Sequence, residues 1–170
     1  DFCLSRGLGD VYKRQLMYMY VTTPEPDNPH YPREGCAEAM RKKLAKAPPQ
    51  IQELAQEITD DHGVVYRPLE QMMLYGDWHR GRVVLLGDDV PATTPHLGQG
   101  AGMAIEDSLV LADEITKHDT PQEAFKAYRD RRFDRCKYIV EKSLAICHGQ
   151  LGKGPPVDNA AATHEMFGIV

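Results

Sequence analysis

The sequence lacks several features that would assign a protein to a particular class. It has no run of about 18 apolar residues, so no segment is predicted to span a membrane. Acidic residues outnumber basic ones, 25 against 20, and the net charge of −5 argues against non-specific nucleic-acid binding, which needs a basic face. The N-terminus also lacks the basic and then apolar pattern of a secretory signal.

Cysteine is scarce and scattered. Cys3, Cys36, Cys136 and Cys147 show no Cys-x-x-Cys spacing. Disulfides and free thiols are both arithmetically possible, and we predict free, partly buried thiols in a reducing, cytoplasmic compartment. The histidines are not grouped and no third ligand accompanies the adjacent acids at positions 88 and 89, so we predict no metal site.

Length and composition are those of a globular protein. The chain has 170 residues, of which 42% are hydrophobic and 26% charged, and this is enough to build a core. Residues 1–15 show little apolar periodicity, and we predict that they are non-native or disordered. Gly7 and Gly9 could begin a phosphate-binding loop, but Tyr12 occupies the place of its third glycine.

The next part of the chain, residues 16–76, shows a strand, two helices and a further strand. Residues 16–23 are rich in aromatic and β-branched residues and stop at a proline, which is typical of a strand. Helical spacing follows over residues 33–46, and Pro49 is placed as the first residue of a second helix. Residues 64–74 are again strand-like.

Residues 77–151 carry stronger signals. The continuous apolar run at 82–87 predicts a strand buried on both faces of a parallel sheet. A helix is expected from Gly98 to about Lys117. Its residues divide into an apolar face and an opposite acidic face. The predicted apolar face is Ala104, Ser108, Leu111, Ala112 and Ile115, and the predicted acidic face is Glu106, Asp107, Asp113 and Glu114.

The last predicted helix begins at a capping box formed by Thr120 and Glu123, with proline at the first helical position, and continues to about His148. The charged run at 129–135 is interpreted as a solvated or salt-bridged helix face. Residues 152–170 are predicted to be a loose tail. The side expected to be buried consists of Phe125, Tyr128, Cys136, Ile139, Ser143 and Ile146.

Gly87 and Asp88 are expected at the end of the predicted strand, where open α/β sheets bind ligands. The glycines at 98, 100 and 102 then begin a helix, and they would let its backbone N–H groups approach a flat or anionic ligand. An ordinary strand-to-helix connection would explain the same residues, so the residues alone leave both interpretations open.

The order of these residues resembles the second flavin-binding motif of the FAD-dependent aromatic hydroxylases, the group A monooxygenases similar to salicylate and para-hydroxybenzoate hydroxylases. That motif is a strand, Gly-Asp, a short loop ending in proline, and Gly-Gln-Gly leading into a helix with Glu-Asp. Here the matching residues are Gly87-Asp88, Pro95, Gly98-Gln99-Gly100 and Glu106-Asp107. The family's Ala-Ala-His is replaced by Asp89-Val90-Pro91, which adds a carboxylate and removes a backbone donor.

The resemblance implies a mixed α/β fold, α+β in this fragment. Residues 77–151 would be the C-terminal part of a Rossmann-like FAD-binding domain, and residues 16–76 part of a sheet-containing substrate domain, with two long helices at the end. The first flavin motif, Gly-x-Gly-x-x-Gly, does not occur in the sequence. The chain therefore resembles the C-terminal part of a longer enzyme.

The resemblance also implies the cofactor and the site. Asp88 would hydrogen-bond the ribityl chain of FAD, Pro95 would face the substrate, and the helix start would lie against the pyrimidine end of the flavin. His96 follows Pro95, and two interpretations stay open for it: a substrate-facing residue or an ordinary loop histidine. No side chain is implied as a catalytic acid or base. The residues implied to hold FAD are Gly87, Asp88, Pro95, Gly98, Gln99, Gly100, Ala101 and Gly102.

The function implied is hydroxylation of a small aromatic substrate with NAD(P)H and O2 by an FAD-dependent monooxygenase. One alternative is an inert partial flavoprotein that does not bind FAD on its own. A further alternative is a flavin-dependent halogenase or reductase of the same superfamily.

Overall fold

The computed structural model describes residues 2–6, 17–27 and 29–169, and the chain forms two compact units, Asp1–Pro68 and Leu69–Val170. The boundary between the units falls before the predicted one at residues 76–77. In the described ranges, five α-helices accompany three two-stranded antiparallel sheets. The mixed fold class is therefore confirmed, although helices dominate.

The first unit contains a β-hairpin. Strand β1 (Phe2–Arg6) pairs antiparallel with β2 (Met17–Val21), and β2 confirms the strand predicted at 16–23. Residues 1–15 are predicted to be non-native or disordered; β1 is a strand, so disorder does not describe residues 2–6, and the non-native alternative stays a prediction. A strand is stabilised by hydrogen bonds to its partner, which local periodicity does not reveal. Gly7 and Gly9, which could begin a phosphate-binding loop, lie outside the described residues.

Two helices complete the first unit. Helix α1 (Cys36–Leu44) and helix α2 (Pro49–Gln56) lie inside the predicted segments, and Pro49 is the first residue of α2 as predicted. The carboxylate of Asp61 accepts the N–H groups of Gly35 at 2.9 Å and of Ala37 at 2.8 Å. This side chain therefore caps α1 from a distant point in the sequence.

The strand predicted over 64–74 is largely wrong. Only β3 (Met72–Met73) is a strand, and it belongs to the second unit. Val65 is 76% exposed, so the apolar residues here do not form a buried face. Pro68 also lacks the N–H group that a sheet ladder requires.

The buried parallel strand predicted over 82–87 is also wrong. β4 (His79–Arg80) and β5 (Val83–Val84) form a short antiparallel hairpin around Gly81, and Val83 is 67% exposed. A parallel sheet needs further strands beside it. In the part of the chain that the structure describes, β4 is the only strand paired with β5. The remaining strand of the second unit, β6 (Pro91–Ala92), pairs with β3.

The core of the second unit forms around helix α4 (Pro121–Gln150). The hydroxyl of Thr120 accepts the N–H of Glu123 and donates to its carboxylate at 2.7 Å, so the predicted cap is present. Trp78 is fully buried and meets the ring of Tyr128 edge to face, with centroids 5.6 Å apart. The predicted buried side is confirmed, since each of these residues is buried: Phe125, Tyr128, Cys136, Ile139, Ser143 and Ile146.

Helix α3 (Gly100–Lys117) has the predicted position, but its buried side includes two acids of the predicted acidic face, Asp107 and Glu114. Asp107 is 0% exposed, whereas Ile105 and Leu109 are 64% and 67% exposed. Of the predicted apolar face, Leu111 packs against the core, whereas Ile115 is 51% exposed. The acidic side of α3 faces α4 because α4 carries arginines there, and ion pairs join the two helices.

The charged run at 129–135 supplies those arginines. Its interpretation as a salt-bridged face is confirmed, but the alternative of a solvated face is wrong for Arg132 and Arg135, which are 4% and 9% exposed. Arg132 pairs with Asp107, and Arg135 binds Glu106 through two nitrogens at 2.6 and 2.7 Å. Bidentate pairing of this kind fixes the geometry of the two helices relative to each other.

The tail predicted to be loose contains helix α5 (Asn159–Phe167), so that prediction is wrong for these residues. The Asp158 side chain caps α5, and Met166 is 0% exposed in the core of the second unit. Arg135 donates to the backbone oxygens of Met166 and Ile169. These contacts depend on tertiary structure, which explains why the weak apolar pattern of the tail did not indicate them.

The described cysteines outside the first fifteen residues carry free thiols. Cys36, Cys136 and Cys147 are free, as predicted, and they are buried more fully than the predicted partial burial. Burial raises the pKa of the Cys136 thiol to about 12. Within the described ranges, each helix is too short or too polar to cross a membrane.

Replacing Met166 with alanine tests whether the tail is part of the core. We expect the unfolding free energy to fall by about 2–4 kcal/mol, because a fully buried side chain leaves a cavity. The neighbouring Phe167→Ala change removes a 67% exposed ring and should cost less than about 0.5 kcal/mol. Urea unfolding followed by the fluorescence of Trp78 measures both, and equal small losses would contradict the docking of α5.

The ion pairs between α3 and α4 predict a dependence of stability on pH. Hydrogen bonds from Arg135 hold the pKa of Glu106 below its ordinary value of 4.5. This stabilisation is complete above pH 4.5 and is lost as the pH falls through the lower folded-state pKa. Urea unfolding from pH 6 down to about pH 3 should show a smaller loss of stability in Glu106→Gln than in the unchanged chain. Identical slopes would show that the pair contributes nothing.

Candidate functional site

The first segment of the candidate site is a tight turn, Gly87–Asp89, which follows the extended residue Leu86. Gly87 has φ +59°, a left-handed conformation that favours glycine. A Cβ placed on Gly87 would lie 3.1 Å from the Cβ of Ala104. Glycine is therefore required twice here, by the backbone angle and by the close approach of the turn to α3.

The two acids of this turn are exposed, while the residues that follow are buried. Asp88 and Asp89 face solvent, and Val90 accepts the N–H of Leu74 through its backbone oxygen at 3.1 Å. Pro91 is buried and lies opposite Met73 in the β3–β6 pair. The departure from the aromatic hydroxylase motif at Val90 and Pro91 therefore supplies core packing.

A loop connects this turn to α3. His96 is half-buried, and its Nδ1 lies 3.0 Å from the hydroxyl of the buried Thr94. Burial lowers the pKa of His96 below its ordinary value of 6.5, against a smaller opposite effect of Gln150, so the ring is neutral at pH 7. Pro95 is exposed and begins a single 3-10 turn, Pro95–Leu97.

The second segment is the start of helix α3, residues 98–102. Gly98 has φ +64° and ends the preceding turn by donating its N–H to Pro95 at 3.0 Å. Gln99 is the N-cap residue, and among the described residues no side chain caps the helix. The N-terminal N–H groups of an 18-residue helix, which carry the positive end of its dipole, are thus left for another acceptor.

Neither the backbone angle nor a close contact explains why residue 100 is glycine. Its backbone angle is not in the left-handed region, and a Cβ placed there would meet no atom within 4 Å. Gly102 differs, because its Cβ would lie 3.3 Å from the Gln99 side chain. The space in front of Gly100 is open, as an approaching ligand would require.

Asp107 lies on α3 and connects that helix to the Gly87–Asp89 turn. Its Oδ2 accepts the N–H of Gly87 at 2.9 Å, and its Oδ1 accepts the Nε–H of Arg132 at 2.7 Å. Burial, and then the Asp107 charge, raise the pKa of Tyr128 well above its ordinary value of 10.0, so the phenol stays protonated.

The structure thus brings the turn and the start of α3 together, through the contact of Gly87 with Ala104. The sequence pattern places Asp107 on an acidic face and Arg132 on a solvated or salt-bridged face, but it does not predict that the two residues pair or that Asp107 bonds Gly87. A glutamate-aspartate pair on one helix and arginines on the next were the available signal. In the described ranges, no cluster of three or more metal-ligating side chains occurs.

The chain belongs to the FAD binding domain family, which it matches over residues 17–143. It is 40% identical over 99 residues to YetM of Bacillus subtilis, which is named as an FAD-dependent monooxygenase; the match covers 58% of this chain and 27% of YetM. An FAD-dependent urate hydroxylase of Mycolicibacterium vanbaalenii is 28% identical over 141 residues, covering 82% of this chain and 35% of that enzyme.

A solved structure shows the same fold. Klebsiella pneumoniae HpxO complexed with FAD and uric acid superposes with a TM-score of 0.68 at 26% sequence identity. The match covers 85% of this chain and 36% of HpxO. The chain therefore spans roughly a third of the length of these relatives.

The glycine requirement at the turn can be measured directly. Gly81 and Gly87 have nearly equal left-handed angles, but only a Cβ on Gly87 meets a neighbour. Gly81→Ala should lower the unfolding free energy by about 1–2 kcal/mol through its backbone angle. Gly87→Ala should cost about 1–3 kcal/mol more, because the methyl group overlaps Ala104. Equal losses in urea unfolding would contradict the close contact.

Proposed function

We propose that this chain forms the part of an FAD site that faces the flavin ring, in an FAD-dependent monooxygenase acting on a small aromatic substrate. The observation that carries the proposal is the uncapped, glycine-lined start of α3 beside the Gly87–Asp89 turn. Membership of the FAD binding domain family supports the same ligand.

The start of α3 suits the electron-rich edge of a flavin. Its free N–H groups and positive dipole end would stabilise negative charge on the ring. The glycines of residues 98–102 leave room for a flat ring to lie against the backbone, and Gly100 has no other structural reason to be glycine. The donors present therefore fit the cofactor.

The remaining residues suit the periphery of the cofactor and the substrate. The exposed Asp88 carboxylate can accept hydrogen bonds from the hydroxyls of a ribityl chain. Pro95 is exposed beside the helix start, and the neutral His96 next to it can accept or donate a hydrogen bond to a substrate. When bound, FAD would supply the redox chemistry with NAD(P)H and O2, while these residues bind and orient.

The substrate class is proposed from two relatives. The Mycolicibacterium vanbaalenii enzyme is a urate hydroxylase, and HpxO is complexed with uric acid. Both act on or bind a small, flat ring system. A small aromatic or heteroaromatic ring is therefore the class to test first.

A second candidate is a chain that folds but does not hold FAD by itself. Two observations favour it: the chain spans about a third of its relatives, and its sequence contains no Gly-x-Gly-x-x-Gly loop. The two candidates make opposite predictions for the isolated chain. Purification, addition of FAD and gel filtration decide between them, because retained flavin absorbance supports the first and a colourless protein supports the second.

Substitution of Gly100 by leucine then tests where the flavin lies. The leucine side chain would project into open space, so the unfolding free energy should not fall. It should rise by up to about 1 kcal/mol, because leucine favours a helix more than glycine does. FAD should nevertheless bind at least about tenfold more weakly, because the side chain occupies the ligand's position. Titration of flavin fluorescence measures the affinity.

Gly76→Leu is the matched control, since a Cβ on Gly76 also meets no atom within 4 Å. It should change neither affinity nor stability by a measurable amount. If Gly100→Leu binds FAD as tightly as this control, the flavin does not lie against the start of α3.

A further inference from the structure

The Asp107 carboxylate is fully buried, and each of its oxygens bonds a different element of the second unit. Oδ2 accepts the backbone N–H of Gly87, and Oδ1 accepts the Nε–H of Arg132 on α4. Charge-assisted hydrogen bonds of this type are short and strong. The carboxylate therefore ties the Gly87–Asp89 turn to both long helices at one point.

The hydrogen bond between Asp107 and Gly87 sets the relative positions of the Gly87–Asp89 turn and the start of α3, the two segments that are proposed to hold the flavin. Asp107 lies on α3 about two helical turns after Gly100, so it moves rigidly with the helix start. Gly87 directly precedes Asp88 in the chain. Holding the N–H of Gly87 on α3 thus positions the backbone that carries Asp88 relative to that helix.

Arg132, on α4, holds the Asp107 carboxylate in place. Arg132 donates to Asp107 and contacts Glu106 at 2.9 Å, and Glu106 is in turn held by Arg135. A buried carboxylate without such partners would be costly, because it has lost its hydration. The hydrogen bond from Arg132, itself placed by the Glu106–Arg135 pair, therefore holds the Asp107 carboxylate in a single orientation.

We infer that Asp107 is a positioning residue for FAD, which holds the Gly87–Asp89 turn at the correct distance from the start of α3. Arg132 contributes indirectly, because it orients the carboxylate of Asp107. The inference rests on the proposed function, since it assigns these residues a role in binding the same cofactor. Neither residue touches the flavin in this arrangement.

A purely structural ion pair on the same helix provides the comparison. Glu114 is 7% exposed, lies on α3 and faces α4, where Arg131 donates to it at 2.8 Å. Unlike Asp107, it makes no hydrogen bond to the Gly87–Asp89 turn among the described residues, and its partners there are Arg131, Lys117 and His118. Glu114→Gln therefore removes a buried carboxylate from the same interface without changing the turn.

The first measurement compares FAD affinity in Asp107→Asn and Glu114→Gln in the full chain. Asp107→Asn should raise the dissociation constant at least about tenfold, the equivalent of one strong hydrogen bond. Glu114→Gln should change it less than about twofold, although both variants lose stability in urea. If Asp107→Asn binds FAD as the unchanged chain does, the inference is overturned.

The second measurement does not need the cofactor. Amide hydrogen exchange by NMR should show faster exchange at Gly87 and Asp88 in Asp107→Asn than in Glu114→Gln, at matched global stability. Equal exchange rates in the two variants overturn the inference. If the unchanged chain takes up no FAD, the proposed function of this chain fails, and the exchange measurement still decides the role of Asp107.

Arg132→Lys replaces Asp107→Asn in the exchange measurement if Asp107→Asn does not fold. Lysine keeps the positive charge but replaces the planar guanidinium, so Asp107 stays paired with less orientation. Exchange at Gly87 and Asp88 should again rise above that of Glu114→Gln. Unchanged exchange at these two amides in Arg132→Lys would show that the orientation of the carboxylate is irrelevant to the turn.

Discussion

The buried contact between Asp107 and Arg132 determines how the second unit is assembled. Removing two charges from water costs several kcal/mol per ion, so the pair is tolerated only with close partners. Asp107 meets this condition with two hydrogen bonds, whereas Nη2 of Arg132 finds no partner among the described residues. The contact therefore serves mainly to specify which faces of α3 and α4 meet.

Several other features follow from that choice of faces. Turning the acids of α3 inward leaves Ile105 and Leu109 exposed, and it places the start of α3 beside the Gly87–Asp89 turn. The neighbouring Arg135 extends the same network to the backbone of α5, so the C-terminal helix packs on the same framework. One charged interface thus arranges the candidate flavin site and the tail together.

Local signals predicted the elements better than the contacts between them. The cap at Thr120, the proline that begins α2 and the buried side of α4 were predictable because each depends on residues within a few turns of one another. The orientation of α3 was not, because an amphipathic pattern assumes that apolar residues face the core. Here the arginines of α4 reversed that preference.

The sequence by itself determined the family, and it predicted the residues of the candidate site, since Gly87, Asp88 and the glycines of residues 98–102 form an ordered motif with a direct physical meaning. Only the tertiary structure decided that Asp107 is buried, that β5 is a short hairpin strand and that α5 packs against the core. Backbone requirements such as a left-handed glycine are local and can be predicted. Burial of a charge depends on a partner distant in the sequence, and only the folded chain supplies it.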